Sequence, residues 1–107
     1  MLTTHVLDTA RGRPAAGVKV ELARLEGGHR EPLRSALTNV DGRTDTPLLG
    51  EGELTPGTYE LTFDVGAYFG EGFFDVVPVR FRVQELAARY HVPLLVSPWS
   101  YSTYRGS

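Results

Sequence analysis

The run Tyr59-Glu60-Leu61-Thr62-Phe63-Asp64-Val65 alternates apolar and polar side chains at every step. Successive strand residues point to opposite faces, so Tyr59, Leu61, Phe63 and Val65 belong to a buried face and Glu60, Thr62 and Asp64 to a wetted one. The same period appears upstream, where Val18, Val20 and Leu22 alternate with Lys19, Glu21 and Ala23. It returns downstream in Val77, Val79, Phe81 and Val83, set against Pro78, Arg80, Arg82 and Gln84. These are half-buried strands.

Turn signals separate them at short intervals: Gly12-Arg13-Pro14, Gly27-Gly28, Asp41-Gly42, Pro56-Gly57 and Ser97-Pro98. Short strands at such spacing predict an antiparallel β-sandwich. The pattern places strands over 3–9, 17–26, 30–38, 43–46, 58–65, 76–84, 91–97 and 99–105. Between Gln84 and Tyr90, the residues Glu85, Leu86, Ala87, Ala88 and Arg89 are good helix formers, in a segment too short to fold on propensity alone.

Composition narrows the class. A chain of 107 residues suits a single domain over 1–107, burying roughly two-thirds of the surface that its unfolded form exposes. Hydrophobic residues at 41% and charged residues at 22% are ordinary globular usage. No apolar run approaches the roughly 20 residues of a membrane helix, so no membrane partner is expected. The net charge is −2 and the 11 Lys and Arg are scattered, which argues against nucleic acid. With no cysteine there is neither a disulfide framework nor a thiol nucleophile. The start, Met1-Leu2-Thr3-Thr4-His5, lacks the basic and apolar segments of a secretory signal, and the last residues, Arg-Gly-Ser, differ from the Ser-Lys-Leu peroxisomal address. A cytoplasmic setting is the expectation.

Strand 91–97 differs from the others. Val92, Leu94 and Val96 share one face, but Pro93 and Leu95 make the opposite face apolar too, beside His91. A sheet with apolar groups on the face turned away from its core is commonly covered by another subunit. His91 is therefore expected at an intersubunit surface.

Three histidines are present, and their spacing matches no metal motif. His29, in Gly27-Gly28-His29-Arg30, reads as a solvated hairpin residue. His5 and His91 lie in strands, where each is either a hydrogen-bonded structural imidazole or a general acid or base. An unperturbed pKa of about 6.5 lets imidazole take a proton from water and return one to a leaving nitrogen near neutral pH. Arg43, after the Asp41-Gly42 turn, is a solvated arginine or a fork that holds a developing oxyanion. The serines form no Gly-x-Ser-x-Gly elbow, so an acyl-serine route has little support. The tail Trp99 to Ser107 is aromatic and hydroxyl-rich nearly to its last residue, which is compatible with an ordered end presenting Arg105 and Ser107.

Three segments resemble the 5-hydroxyisourate hydrolases of the transthyretin-like family. They are Leu2-Thr3-Thr4-His5-Val6-Leu7-Asp8-Thr9 with Gly12-Arg13-Pro14-Ala15; Asn39 to Arg43; and Tyr90-His91-Val92-Pro93-Leu94-Leu95 running on to Tyr104-Arg105-Gly106-Ser107. Gly66-Ala67-Tyr68-Phe69 resembles that family's short helical turn.

The resemblance implies an eight-stranded all-β sandwich with one short helix. It also implies a homotetramer, a dimer of dimers with active sites at the dimer-dimer interface. The implied reaction is hydrolysis of a cyclic amide in 5-hydroxyisourate, giving 2-oxo-4-hydroxy-4-carboxy-5-ureidoimidazoline in urate breakdown, with no cofactor and no metal. His5, Arg43, His91 and Ser107 would be catalytic, and His5, Arg43, Tyr104, Arg105 and Gly106 would bind substrate. The rival is a transthyretin-type carrier of a small aromatic ligand. Two imidazoles and two guanidiniums in its channel would suit a polar ring better than a hydrophobic one.

Overall fold

The structure, a computed structural model, describes residues 1–85 and 88–107. Among them, eight strands and one short helix follow in chain order: β1 Leu2–Asp8, β2 Arg13–Pro14, β3 Lys19–Glu26, β4 His29–Leu37, β5 Gly57–Asp64, α1 Val65–Phe69, β6 Val76–Val83, β7 Tyr90–Val96 and β8 Tyr101–Thr103. They build two four-stranded sheets, β2-β1-β7-β8 and β4-β3-β5-β6. No described helix is long and apolar enough to cross a membrane.

The core is the alternation made solid. Tyr59, Leu61 and Phe63 of β5 join Val20, Leu22, Val77, Val79 and Val83 from one sheet and face Leu2, Val6, Val92, Leu94 and Val96 from the other. Each such side chain, buried from water, contributes about 1.5–3 kcal/mol of transfer free energy. Val65 also enters the core, but as the first residue of α1 rather than the last of β5. The Asp64 carboxylate accepts the Ala67 N–H at 3.2 Å, capping the helix and ending the strand one residue sooner than expected. The helix is then tied to β1, because the Tyr68 hydroxyl donates to Asp8 Oδ2 at 2.8 Å. Burial raises the Asp8 pKa, but the Arg11 backbone N–H, the Tyr68 hydroxyl and the Arg11 guanidinium outweigh it and hold the carboxyl below its usual range.

Two expected strands differ. Residues 43–46 form a loop, because Arg43-Thr44-Asp45-Thr46 offers no apolar face and its polar groups bond locally. Asn39 Oδ1 accepts the backbone N–H groups of Asp41 at 2.9 Å and Arg43 at 3.2 Å, and the Thr44 hydroxyl donates to the Thr46 carbonyl at 2.6 Å. The strand expected over 99–105 is assigned only at Tyr101–Thr103. Before it, Ser97 Oγ accepts the N–H groups of Trp99 and Ser100 and turns the chain around Pro98. The eighth strand is the two-residue β2, which had no pattern of its own and pairs Leu7 with Pro14 and Asp8 with Arg13. Of the segment over Gln84 to Tyr90, residues 86 and 87 lie outside the described residues, and Tyr90 opens β7.

Antiparallel ladders join the strands except at one seam. There β1 and β7 run parallel, from Leu2 opposite Tyr90 to Asp8 opposite Val96. Parallel neighbours need a long crossover. Here the intervening chain, with the whole second sheet, supplies it and brings the two ends of the sequence side by side.

Candidate active site on the outward face of β1 and β7

Along β1 the residues Leu2, Thr4, Val6 and Asp8 are buried, which leaves Thr3, His5 and Leu7 pointing away from the core. The ladder sets Thr3 opposite His91, His5 opposite Pro93 and Leu7 opposite Leu95. Both imidazoles therefore project from one face, offset by two residues across adjacent strands. Strand spacing and rise put their Cα atoms about 8 Å apart.

Arg43 reaches the same face through the Asn39 to Arg43 turn. The Gly42 carbonyl accepts the Val6 N–H at 2.8 Å, so the turn docks directly on β1. Only glycine fits there: φ is +75°, and a Cβ would lie 2.3 Å from the Val6 carbonyl oxygen. A depression of about 210 Å³ lined by Thr3, Arg43, Thr44 and Asp45 adjoins the histidine face.

His91 is the more constrained imidazole. Its Nδ1 sits 2.8 Å from Thr3 Oγ1. Burial, the Arg43 guanidinium and the His5 ring lower its pKa below 6.5, against an upward pull from the Thr3 backbone. The ring is thus neutral near pH 7 and able to accept a proton.

The tail closes over this strand. The register that pairs Leu94 with Thr103 also bridges His91 to Gly106, so the residues between them keep strand order beyond β8. Ser102, Tyr104 and Gly106 fall at positions opposite outward residues of β7. Tyr104 is 58% exposed. Arg105 falls in the other set. Its guanidinium stacks 4.4 Å over the ring of Tyr90 and donates to the Arg89 carbonyl at 3.5 Å, in a cleft shared with Phe81 and Gln84.

Of the residues read from the sequence, the fold gathers His5, Arg43, His91 and Gly106, sets Tyr104 beside them, and leaves Ser107 one residue beyond Gly106. Within one chain it does not bring Arg105 to the imidazoles. His29 is exposed on β4, in the other sheet. Among the described residues no group of three or more His, Cys, Asp or Glu is placed to hold a metal ion. Sequence reasoning did not single out Thr3, whose signal was present only as a position two residues before His5, on the same strand face.

A family model described as HIUase/Transthyretin family matches residues 2–106. The chain belongs to that family. It is 58% identical over 113 residues to the 5-hydroxyisourate hydrolase of Deinococcus radiodurans, covering 99% of this chain and 95% of that protein. Among solved structures, the 5-hydroxyisourate hydrolase of Klebsiella pneumoniae superposes with a TM-score of 0.85 at 39% identity, covering 99% of this chain and 97% of that one. Sea bream transthyretin in complex with thyroxine superposes with a TM-score of 0.91 at 28% identity, covering 98% and 93%. Family members thus include both enzymes and a thyroxine-binding protein, and the residues of the outward face must separate them.

Proposed function

We propose that this protein hydrolyses 5-hydroxyisourate, opening its six-membered ring at a cyclic amide bond to give 2-oxo-4-hydroxy-4-carboxy-5-ureidoimidazoline. The observation that carries this reading is the convergence of His5, His91 and Arg43 on one outward sheet face, in a chain 58% identical to a hydrolase of that name. Neutral His91 takes a proton from water as the water oxygen attacks the ring carbonyl. Arg43 stabilises the oxyanion that develops there. As the carbon–nitrogen bond breaks, His5 delivers a proton to the departing nitrogen, and the two imidazoles exchange protons with solvent before the next turnover. Tyr104, Gly106 and Ser107 bound the substrate along the edge of β7. Arg105 adds a second guanidinium if it leaves Tyr90 or is contributed by another subunit. The chemistry calls for no cofactor.

The outward face also carries Leu7 and Leu95, which one chain leaves only half-buried. A homotetramer, a dimer of dimers with these faces opposed, buries them and encloses the site in a drier channel where Arg43 and the imidazoles act more strongly. The cytoplasm is the setting in which we place the reaction.

The test is to generate 5-hydroxyisourate in situ from urate and follow its ultraviolet decay with and without the protein. Decay should accelerate in proportion to protein concentration. A rate equal to the spontaneous one, together with tight thyroxine binding, would establish the carrier reading instead.

A further inference from the structure

We propose that Thr3 is a positioning residue of this site, holding the His91 ring through Nδ1 so that Nε2 is the atom that takes the proton from water. The proposal rests on the reading above, in which His91 is the base. Thr3 and His91 are direct partners in the parallel β1–β7 ladder, which makes their side chains neighbours on the same face. The Thr3 hydroxyl lies 2.8 Å from Nδ1.

A hydroxyl can donate or accept, and the role of His91 as the base decides between the two. Nδ1 is the ring nitrogen that meets Thr3, which leaves Nε2 as the nitrogen without that partner. A base acting at Nε2 needs its hydrogen on Nδ1, so the Thr3 hydroxyl oxygen accepts that hydrogen and the neutral ring keeps its lone pair on Nε2. A β-branched side chain in a strand has few χ1 choices, so the hydroxyl is itself held in place. From the other side, Gly106 donates its N–H to the His91 carbonyl at 2.7 Å and packs against the Cδ2 edge of the ring. Thr3 thus selects the tautomer, and Gly106 restrains the plane. A neutral ring with its hydrogen on Nε2 could not accept a proton there at all.

The experiment compares the full-length wild type with Thr3→Val, which keeps the branched shape and removes the hydroxyl, and Thr3→Ser, which restores it. Circular dichroism and light scattering show that each retains its fold and assembly. Steady-state rates on 5-hydroxyisourate and the ¹⁵N chemical shifts of the His91 ring are the two readouts. Thr3→Val should lower kcat by about 10- to 100-fold, the usual range for a partner that orients a functional histidine, and leave KM nearly unchanged. Its ring nitrogens should leave the Nδ1–H pattern for a mixture of tautomers. Thr3→Ser should recover most of both. A Thr3→Val protein with wild-type kcat, unchanged ring shifts in that variant, or a Thr3→Ser protein as impaired as Thr3→Val would each overturn the proposal. If the wild type itself did not hydrolyse 5-hydroxyisourate, the functional reading would fall, while the ring shifts would still decide whether Thr3 sets the tautomer.

Discussion

Gly106 closes against His91 so tightly that a Cβ at position 106 would stand 2.6 Å from His91 Cδ2, while its backbone N–H donates to the His91 carbonyl at 2.7 Å. Glycine is required by proximity to a ring edge rather than by a turn. Substituting Ala must push either the imidazole or the tail aside. Gly106→Ala should therefore cut kcat by about 100-fold, the effect of displacing a catalytic group by roughly 1 Å, with little change in melting temperature. Thermal circular dichroism alongside initial rates checks it. Unaltered activity would mean that the tail yields freely and does not hold the ring.

The two outward histidines should behave alike and the third differently. His5→Ala and His91→Ala are each expected to lower kcat by about 100-fold or more, the scale of general acid–base catalysis. His29→Ala, exposed on β4 in the other sheet, should be silent. Rates for the three variants at saturating substrate decide this, and an equal loss in all three would sink the assignment.

The acidic limb of the pH profile carries a sign. Burial, Arg43 and His5 lower the His91 pKa, so the neutral base survives to more acidic pH than free imidazole, and kcat/KM should rise with pH through a midpoint below 6.5. Arg43→Gln removes a cation that opposes protonation, so the midpoint should move upward even as the rate falls. A midpoint that stayed put or moved down would place Arg43 away from the ring. The same shift makes the unfolded ring protonate first, so stability is lost as pH falls from 6.5 through the folded value.

Assembly is open to light scattering. The outward face of β1 and β7 places half-buried Leu7 and Leu95 on the side of the imidazoles, and the expected particle has four times the 11.8 kDa mass of one chain. A charge at the centre of that face, Leu95→Glu, should shift the population toward smaller species and lower activity in step. A fully active monomer would show that the site is complete within one chain.

Legibility of the fold followed burial. Where one strand face is covered and the other wet, as in β3, β5 and β6, the period of two was plain and boundaries came within one or two residues. It failed where backbone geometry is set by side chains that bond locally. Asn39 turned an expected strand at 43–46 into a loop, and Ser97 delayed β8. β2 has only two residues, too few to show any period. The pairing of β1 with β7 has no local signature, because nothing in either strand encodes a neighbour more than eighty residues away. The resemblance nominated His5 and His91 for one site but said nothing of the pairing of their strands. Thr3 was invisible for the same reason, since its role exists only across the seam.

The tail gives the sharpest test, since deletion of 104–107 removes Tyr104, Arg105, Gly106 and Ser107 at once, and none of the four is buried. Their loss takes little from the core, which closes among β1, β3, β5, β6 and β7. The contacts that disappear include the Gly106 N–H to the His91 carbonyl, the Arg105 guanidinium over Tyr90 and the long Arg105 hydrogen bond to the Arg89 carbonyl. An exposed cation–π contact contributes about 0.5–1 kcal/mol and a backbone hydrogen bond a similar amount, so the melting temperature should fall by only a few degrees. Activity should collapse, because the wall beside His91 is gone. Arg105→Ala separates the two ways in which Arg105 can matter. If Arg105 acts as an anchor on Tyr90, its loss should raise mobility of the tail and reduce kcat partially, with KM little changed. If it touches substrate from a neighbouring subunit, KM should rise as well. A protein lacking 104–107 that kept its β-sheet spectrum and its assembly, and still hydrolysed 5-hydroxyisourate at the wild-type rate, would remove the tail from the mechanism and leave His5, Arg43 and His91 to account for it alone.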